Sequence, residues 1–287
     1  MVRYIKYLFV TYYLLFTDTS VSDQLFQDVR VLCWVMTHES NLKSKATAVR
    51  KTWGKRCNKL LFSADHENPD FPTIKIDVKN GRDYLSHKTF ATFQYVYDNH
   101  MDDADWFMKA DDDTYVVMEN LRHLLSSHSP DEPIYFGHLF KAIVKKGYPS
   151  GGAGYIVSKE AMRRFGKRKR SSPECKPRRR AAEDVEMGKC LQHLNVTAAD
   201  GRDKFNRTRF HCLAPLDFIQ GKYPDWLNTY SKWRPEKGAE AISDYAVSFH
   251  YISESTMYLM EYVLYHLRPY GILFGLQDLN KPSQSNT

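Results

Sequence analysis

Trp106-Phe107-Met108-Lys109-Ala110-Asp111-Asp112-Asp113-Thr114-Tyr115-Val116-Val117 decides how the rest of the chain is read. An apolar run that ends abruptly in three carboxylates predicts a buried strand delivering acids to the edge of a sheet, because a strand interior could hold three adjacent charges only at prohibitive cost. In an extended segment side chains alternate, so Asp111 and Asp113 share one side and can share a hard cation, while Asp112 points away. Lys109 stands two residues before the first acid, where it balances charge or reaches a phosphate. An acidic turn after a strand is the plainer alternative, and the tryptophan, phenylalanine and methionine just upstream, which are not turn formers, weigh against it.

Upstream, residues 29–36 form a dense apolar run suited to a central parallel strand, after a short polar link over 17–28. A polar stretch at 37–44 leads to a helix over 46–53 that carries Arg50, then strands over 59–63 and 73–78, and a turn at 79–81. Over residues 84–99, Leu85, Phe90, Phe93, Val96 and Tyr97 keep helical spacing, and Lys88 sits on that helix. Alternation of strand and helix leading to acids at a strand end is the pattern of a nucleotide-binding α/β sheet, whose ligands gather at the carboxyl ends of strands.

Downstream, a helix over 119–127 and a strand over 134–140 precede Gly147-Tyr-Pro-Ser-Gly151-Gly152-Ala-Gly154. Three glycines in four residues suit close approach to a substrate and a simple tight turn equally, and the phosphate-loop patterns are missing. Ser158 caps a helix over 159–165. Glu183 and Asp184 open a helix over 181–194, where ordinary helix-start acids are the competing reading. His250 lies inside a strand-like run at 244–252; a lone histidine there reads first as a core residue, but a cation held by two aspartates needs further ligands, and imidazole suits manganese better than calcium or magnesium. A helix over 256–267 reads as packing.

The chain has 287 residues, 43% hydrophobic and 14% aromatic, enough for one substantial core and too apolar for disorder. Its net charge of +7 comes from one place, since residues 163–180 hold ten Lys/Arg against one Glu. That segment reads as a solvated, mobile loop; with Phe165 as its one aromatic it lacks the interleaving that a nucleic-acid binder needs. Residues 1–16 carry Arg3 and Lys6 ahead of a ten-residue apolar run, closer to a signal peptide than to a full membrane span, and able to serve as a marginal anchor. Five cysteines and the sequons at Asn195 and Asn206 agree with a secretory setting. Pairing Cys33 with Cys57 and Cys175 with Cys190 closes two modest loops and leaves Cys212 over. The expected organisation is a signal or anchor segment and link at 1–28, a catalytic domain at 29–275 and a polar tail at 276–287.

Taken together, ADWFMKADDDTY (104–115), DEPIYFG (131–137), SGGAGY (150–155), EDVEMGKC (183–190), VSFHY (247–251) and YHLRPYG (265–271) resemble the inverting β1,3-glycosyltransferases, and most specifically the core 1 β1,3-galactosyltransferases. The resemblance implies the α/β nucleotide-sugar transferase fold called GT-A, a mixed, mostly parallel sheet flanked by helices. It implies galactose transfer from UDP-galactose to the 3-hydroxyl of an N-acetylgalactosamine on a glycoprotein Ser or Thr. Mn2+ would be held by Asp111, Asp113 and His250, the donor by Met36, Arg50, Lys88, Lys109, Asp111 and Tyr258, and the acceptor by Trp226, Tyr230, Gly151 and Gly152. Asp184 would be the base, with Glu183 the second choice. A homodimer in the Golgi membrane, single-pass with a lumenal catalytic domain, is the implied setting, and secretion after signal cleavage is the alternative. Ala241-Ile242 replace two adjacent cysteines of the family pattern, and the aromatic segment at 223–233 is diluted, both on the acceptor side. A non-catalytic, chaperone-like homologue or a transferase using another UDP-sugar are the rival readings; retention of Asp111, Asp113, Asp184 and His250 argues against the first.

Overall fold

The computed structural model describes residues 18–64, 66–79 and 81–269. The amino-terminal signal or anchor segment, the polar tail and the centre of the 79–81 turn lie outside them. Among the described residues, no helix is long and apolar enough to cross a membrane.

The elements in order are α1 (Ser20–Asp28), β1 (Val31–Met36), α2 (Thr47–Lys51), β2 (Lys59–Ala64), β3 (Thr73–Lys75), α3 (Leu85–His100), β4 (Trp106–Asp111), β5 (Tyr115–Val116), α4 (Met118–Leu125), β6 (Ile134–Gly137), β7 (Leu139–Phe140), β8 (Tyr148–Pro149), β9 (Tyr155–Ser158), α5 (Lys159–Gly166), α6 (Glu183–His193), β10 (Thr197–Ala198), β11 (Phe210–His211), α7 (Pro215–Ile219), α8 (Trp226–Tyr230), β12 (Ser248–Phe249) and α9 (Glu254–Tyr265). Seven strands form the main sheet in the order β10-β6-β9-β4-β1-β2-β3. All its pairs are parallel except those of β9 with β4 and β6, so the expected mixed, mostly parallel α/β sheet is the one that forms.

Alternation along β1 and β4 creates two cores. Val31, Cys33 and Val35 join Trp106, Met108 and Ala110 on the face covered by α2, α4 and Met257 of α9. Leu32, Trp34 and Phe107 face the other way, onto Phe90 and Phe93 of α3, Met162 and Phe165 of α5 and Leu191 of α6. Lys109 shares the parity of Phe107, so it points to the α6 side of the sheet. Burying a large apolar side chain such as Phe107 stabilises the fold by about 2–3 kcal/mol, which fixes the register and therefore where the acids emerge.

Several expectations are corrected. The link over 17–28 contains α1, because Phe26 seats under the Arg122 guanidinium at 4.6 Å and its carbonyl accepts a bond from Asn58. The strand expected over 73–78 stops at Lys75, and the one over 244–252 shrinks to Ser248–Phe249, inside a separate three-stranded sheet with β5 and β11. The basic segment is tied down. Arg168 stacks on Phe165 at 3.7 Å, Arg178 pairs with Glu186 at 2.6 Å, Arg179 and Arg180 reach Asp83, and the Cys175–Cys190 disulfide staples it to α6. Both expected disulfides form, and Cys212 is buried and free. In place of the absent cysteine pair, Ala241 and Ile242 pack into a third apolar cluster with Cys212 and Phe218.

Candidate active site

β4 ends at Asp111, and the chain turns at once, with the Thr114 amide donating to the Asp111 carbonyl at 3.1 Å. Asp111 and Asp113 are therefore brought to one side by a turn, not by the alternation of an extended strand. Asp112 does point away, as expected. It is buried, it accepts from the Thr37 hydroxyl at 2.7 Å and the Asn41 amide at 2.9 Å, and burial raises its pKa above the usual carboxylate value.

The third candidate ligand arrives from the small sheet. Phe249 pairs with Tyr115, and the Ile252 amide donates to the Asp113 carbonyl at 2.9 Å, so the stretch around His250 is sewn onto the acidic turn. Among the described residues, Asp111, Asp113 and His250 form the group able to hold a metal, each offering one ligand atom within 4.8 Å of the others. His250 Nδ1 lies 3.3 Å from the Cys212 carbonyl, which can only accept. With the hydrogen on Nδ1, the Nε2 lone pair faces Asp113 Oδ1 at 3.2 Å. Two acceptors this close need a cation between them or a proton on Nε2, and two carboxylates with an imidazole are a fitting set for a divalent ion such as Mn2+. Burial pushes the Asp113 pKa up, but His250 and Lys45 outweigh it and hold the carboxyl below its ordinary range.

Behind this set lies a buried charge cluster. Lys109 is 1% exposed; its Nζ donates to Asp111 Oδ1 at 2.7 Å and to the Gly151 carbonyl at 3.0 Å, with Glu183 Oε2 at 3.7 Å. Burial alone would depress its pKa, and the carboxylates of Asp111 and Glu183 more than reverse that, so it stays an ammonium. Of its two expected roles, the geometry gives it charge balance. Glu183 accepts from the Tyr155 hydroxyl at 3.0 Å, and burial lifts its pKa to about 7 despite Lys109. Asp184, half-buried, accepts from the Val185 amide at 2.8 Å and the Gly151 amide at 3.4 Å, and burial raises its pKa as well.

The glycine-rich turn owes its composition to these neighbours. A Cβ on Gly151 would collide with the Glu183 carboxylate, and one on Gly152 would overlap the His250 ring. Close approach by the side chains of Glu183 and His250 therefore explains both glycines, whichever substrate they also meet.

The remaining candidates fall at different distances. Met36 sits beside Asp111 in strand register. Lys88 is one step back, donating to the Thr37 carbonyl at 2.8 Å while the Thr37 hydroxyl holds Asp112. Arg50 turns toward the β2–β3 connection, donating to the Asp70 carbonyl and lying 5.1 Å over Phe71. Tyr258 is 44% exposed on α9. Trp226 and Tyr230, both exposed, stack edge-on at 5.7 Å and pack on Phe140, which meets Tyr148 at 5.5 Å. Burial pushes the Tyr148 hydroxyl up to about 12, and the charges of Asp184 and Tyr230 add to that shift. Tyr148, Tyr155, Thr37, Asn41 and Lys45 were not singled out from the sequence; only the two tyrosines carried a signal, as flanks of the glycine turn.

Comparison with known proteins places this cluster in context. The chain is 44% identical over 264 residues to glycoprotein-N-acetylgalactosamine 3-beta-galactosyltransferase 1 of Xenopus laevis, covering 91% of this chain and 73% of that protein. It is 28% identical over 173 residues to beta-1,3-glucosyltransferase of Mus musculus, covering 59% of this chain and 33% of that one. Among solved structures, a glycosyltransferase involved in glycosylation of the major capsid of PBCV-1 matches with a TM-score of 0.45 at 12% identity, over 82% of this chain and all of that one. The galactosyltransferase LgtC, in complex with donor and acceptor sugar analogs, matches at 0.40 and 10%, over 77% and 86%. The Fringe-like family profile matches residues 26–252, a span that holds Asp111, Asp113, Glu183, Asp184 and His250 together, and the chain belongs to that family.

Proposed function

We propose that the protein is an inverting, GT-A-type galactosyltransferase that moves galactose from UDP-galactose to the 3-hydroxyl of N-acetylgalactosamine linked to Ser or Thr of a glycoprotein. The observation that carries the reading is the pairing of a complete divalent-cation set, Asp111, Asp113 and His250, with a second, separately held carboxylate, Asp184, in a chain 44% identical to a galactosyltransferase named for that reaction. Mn2+, when bound there, supplies a Lewis acid that stabilises charge on the departing diphosphate.

The chain's own groups do the rest. Asp184 takes the proton of the acceptor hydroxyl as that oxygen attacks the sugar carbon, and a single in-line displacement gives the β product. Partial burial raises the proton affinity of Asp184, which favours this role, and two backbone amides fix its orientation. Glu183 is the poorer base, because Tyr155 and Lys109 already engage its oxygens. Trp226 and Tyr230, leading through Phe140 to Tyr148, form an aromatic surface suited to the acceptor. Two disulfides fit an oxidising lumen, and likeness to a galactosyltransferase supports a Golgi setting, with residues 1–16 as anchor or cleaved signal.

The test is UDP release from a panel of UDP-sugars with an N-acetylgalactosamine-bearing peptide, with Mn2+ and with EDTA. Turnover of UDP-galactose that requires Mn2+ is expected; silence with every donor overturns the reading, and preference for UDP-glucose would shift it toward the glucosyltransferase relative.

A further inference from the structure

We propose that Lys45 is a ligand of the donor's diphosphate, parked on the acidic turn until that diphosphate arrives; the inference rests on the metal-dependent donor reading above. Lys45 is on a π-helical turn, Leu42–Ala46, that leads into α2. Such a turn inserts an extra residue and re-aims its side chains, a device that recurs at functional sites. The turn is docked on the acids, since Asn41 just before it donates to Asp112. From there the Lys45 ammonium lies 3.6 Å from Asp113 Oδ2 and 3.8 Å from Asp112 Oδ1, on the side of Asp113 opposite the oxygen that faces His250. Lys45 and His250 thus engage different oxygens of Asp113.

Charge and mobility single this residue out. Asp111, Asp112, Asp113, Glu183 and Asp184 outnumber the ammoniums of Lys45, Lys88 and Lys109. A divalent ion offsets the excess and a diphosphate restores it, so a cation of the cluster that is free to turn from carboxylate to phosphate follows the charge as the donor arrives. Lys109, 1% exposed, is locked between Asp111 and Gly151, and Lys88, 8% exposed, is held by the Thr37 carbonyl. The Lys45 side chain is 39% exposed, and its contacts are longer than a good hydrogen bond. Releasing them costs little, and four methylenes let the ammonium swing to a neighbouring phosphate oxygen.

The test is calorimetric titration of the intact protein, with the fold checked by circular dichroism. Lys45→Met should bind Mn2+ alone as well as wild type or more tightly, because a competing cation beside Asp113 is gone. The same variant should bind UDP in the presence of Mn2+ roughly tenfold to a hundredfold more weakly, the scale of one lost charge-assisted bond, and Lys45→Arg should keep most of the affinity. Unchanged UDP binding by Lys45→Met, or a parallel loss of Mn2+ affinity marking Lys45 as a holder of the acids, overturns the inference while leaving the donor reading intact. Wild-type protein that binds no UDP with Mn2+ overturns the donor reading itself.

Discussion

His250 presents Nε2 to Asp113 Oδ1 at 3.2 Å while its Nδ1 lies 3.3 Å from the Cys212 carbonyl. With the hydrogen on Nδ1, the face offered to a cation is a lone pair. Replacing His250 with Ala should weaken Mn2+ binding by at least roughly tenfold, read by the free-Mn2+ paramagnetic resonance signal, with the fold intact. Undiminished affinity would show that the imidazole is not a ligand.

Gly152 lies against the same ring. Gly152→Ala places a methyl where the imidazole sits, so His250 must move. Expected are Mn2+ affinity close to that of His250→Ala and a stability loss of about 1–3 kcal/mol from overpacking. Gly151→Ala should instead disturb Glu183 and the Lys109 cluster.

Stability should fall in mild acid for a reason outside the site. His138 and His211 are buried, and burial depresses their pKa values from 6.5 to about 4 and about 3. Each stays neutral in the fold while its unfolded counterpart protonates below about 6.5, so their contribution is complete above that pH and is lost progressively as pH falls toward 4. For His138 the loss amounts to about 3 kcal/mol at pH 4. Comparing melting of wild type and His138→Asn at pH 7.5 and 4.5 isolates it, since the variant should lose less stability on acidification.

The disulfide Cys175–Cys190 closes a loop of 15 residues. Cys175→Ser with Cys190→Ser should cost about 3 kcal/mol by the chain-entropy account. Because the same loop contains the arginines that reach Asp83, proteolysis should begin within residues 167–180 in the variant and not in the oxidised protein.

Much of the fold was legible because β1 and β4 are buried on both faces and so read as continuous apolar runs, and because Phe90, Phe93 and Val96 repeat at helical spacing. The acids at 111 and 113 could be grouped from spacing alone, although a turn, not a strand, does the grouping. What stayed hidden depends on contacts distant in sequence. Nothing local in Lys45 announces its approach to Asp113, and the bond from His250 to the Cys212 carbonyl spans 38 residues. The glycine turn could be read as special, but only the positions of Glu183 and His250 say why. The basic segment is solvated, as its charge density predicts, with Arg178, Arg179 and Arg180 exposed, while Asp83, Glu186 and Phe165 supply partners that composition cannot place.

The division of labour between the two acidic groups is tested most directly by Asp184→Asn, with UDP binding and galactose transfer measured on the same preparation. Binding of UDP with Mn2+ should stay within about threefold of wild type, while transfer to the acceptor falls by roughly a hundredfold to ten-thousandfold, the scale of a lost general base; Asp111→Asn should lose both. Normal turnover in Asp184→Asn would contradict the assignment of the base.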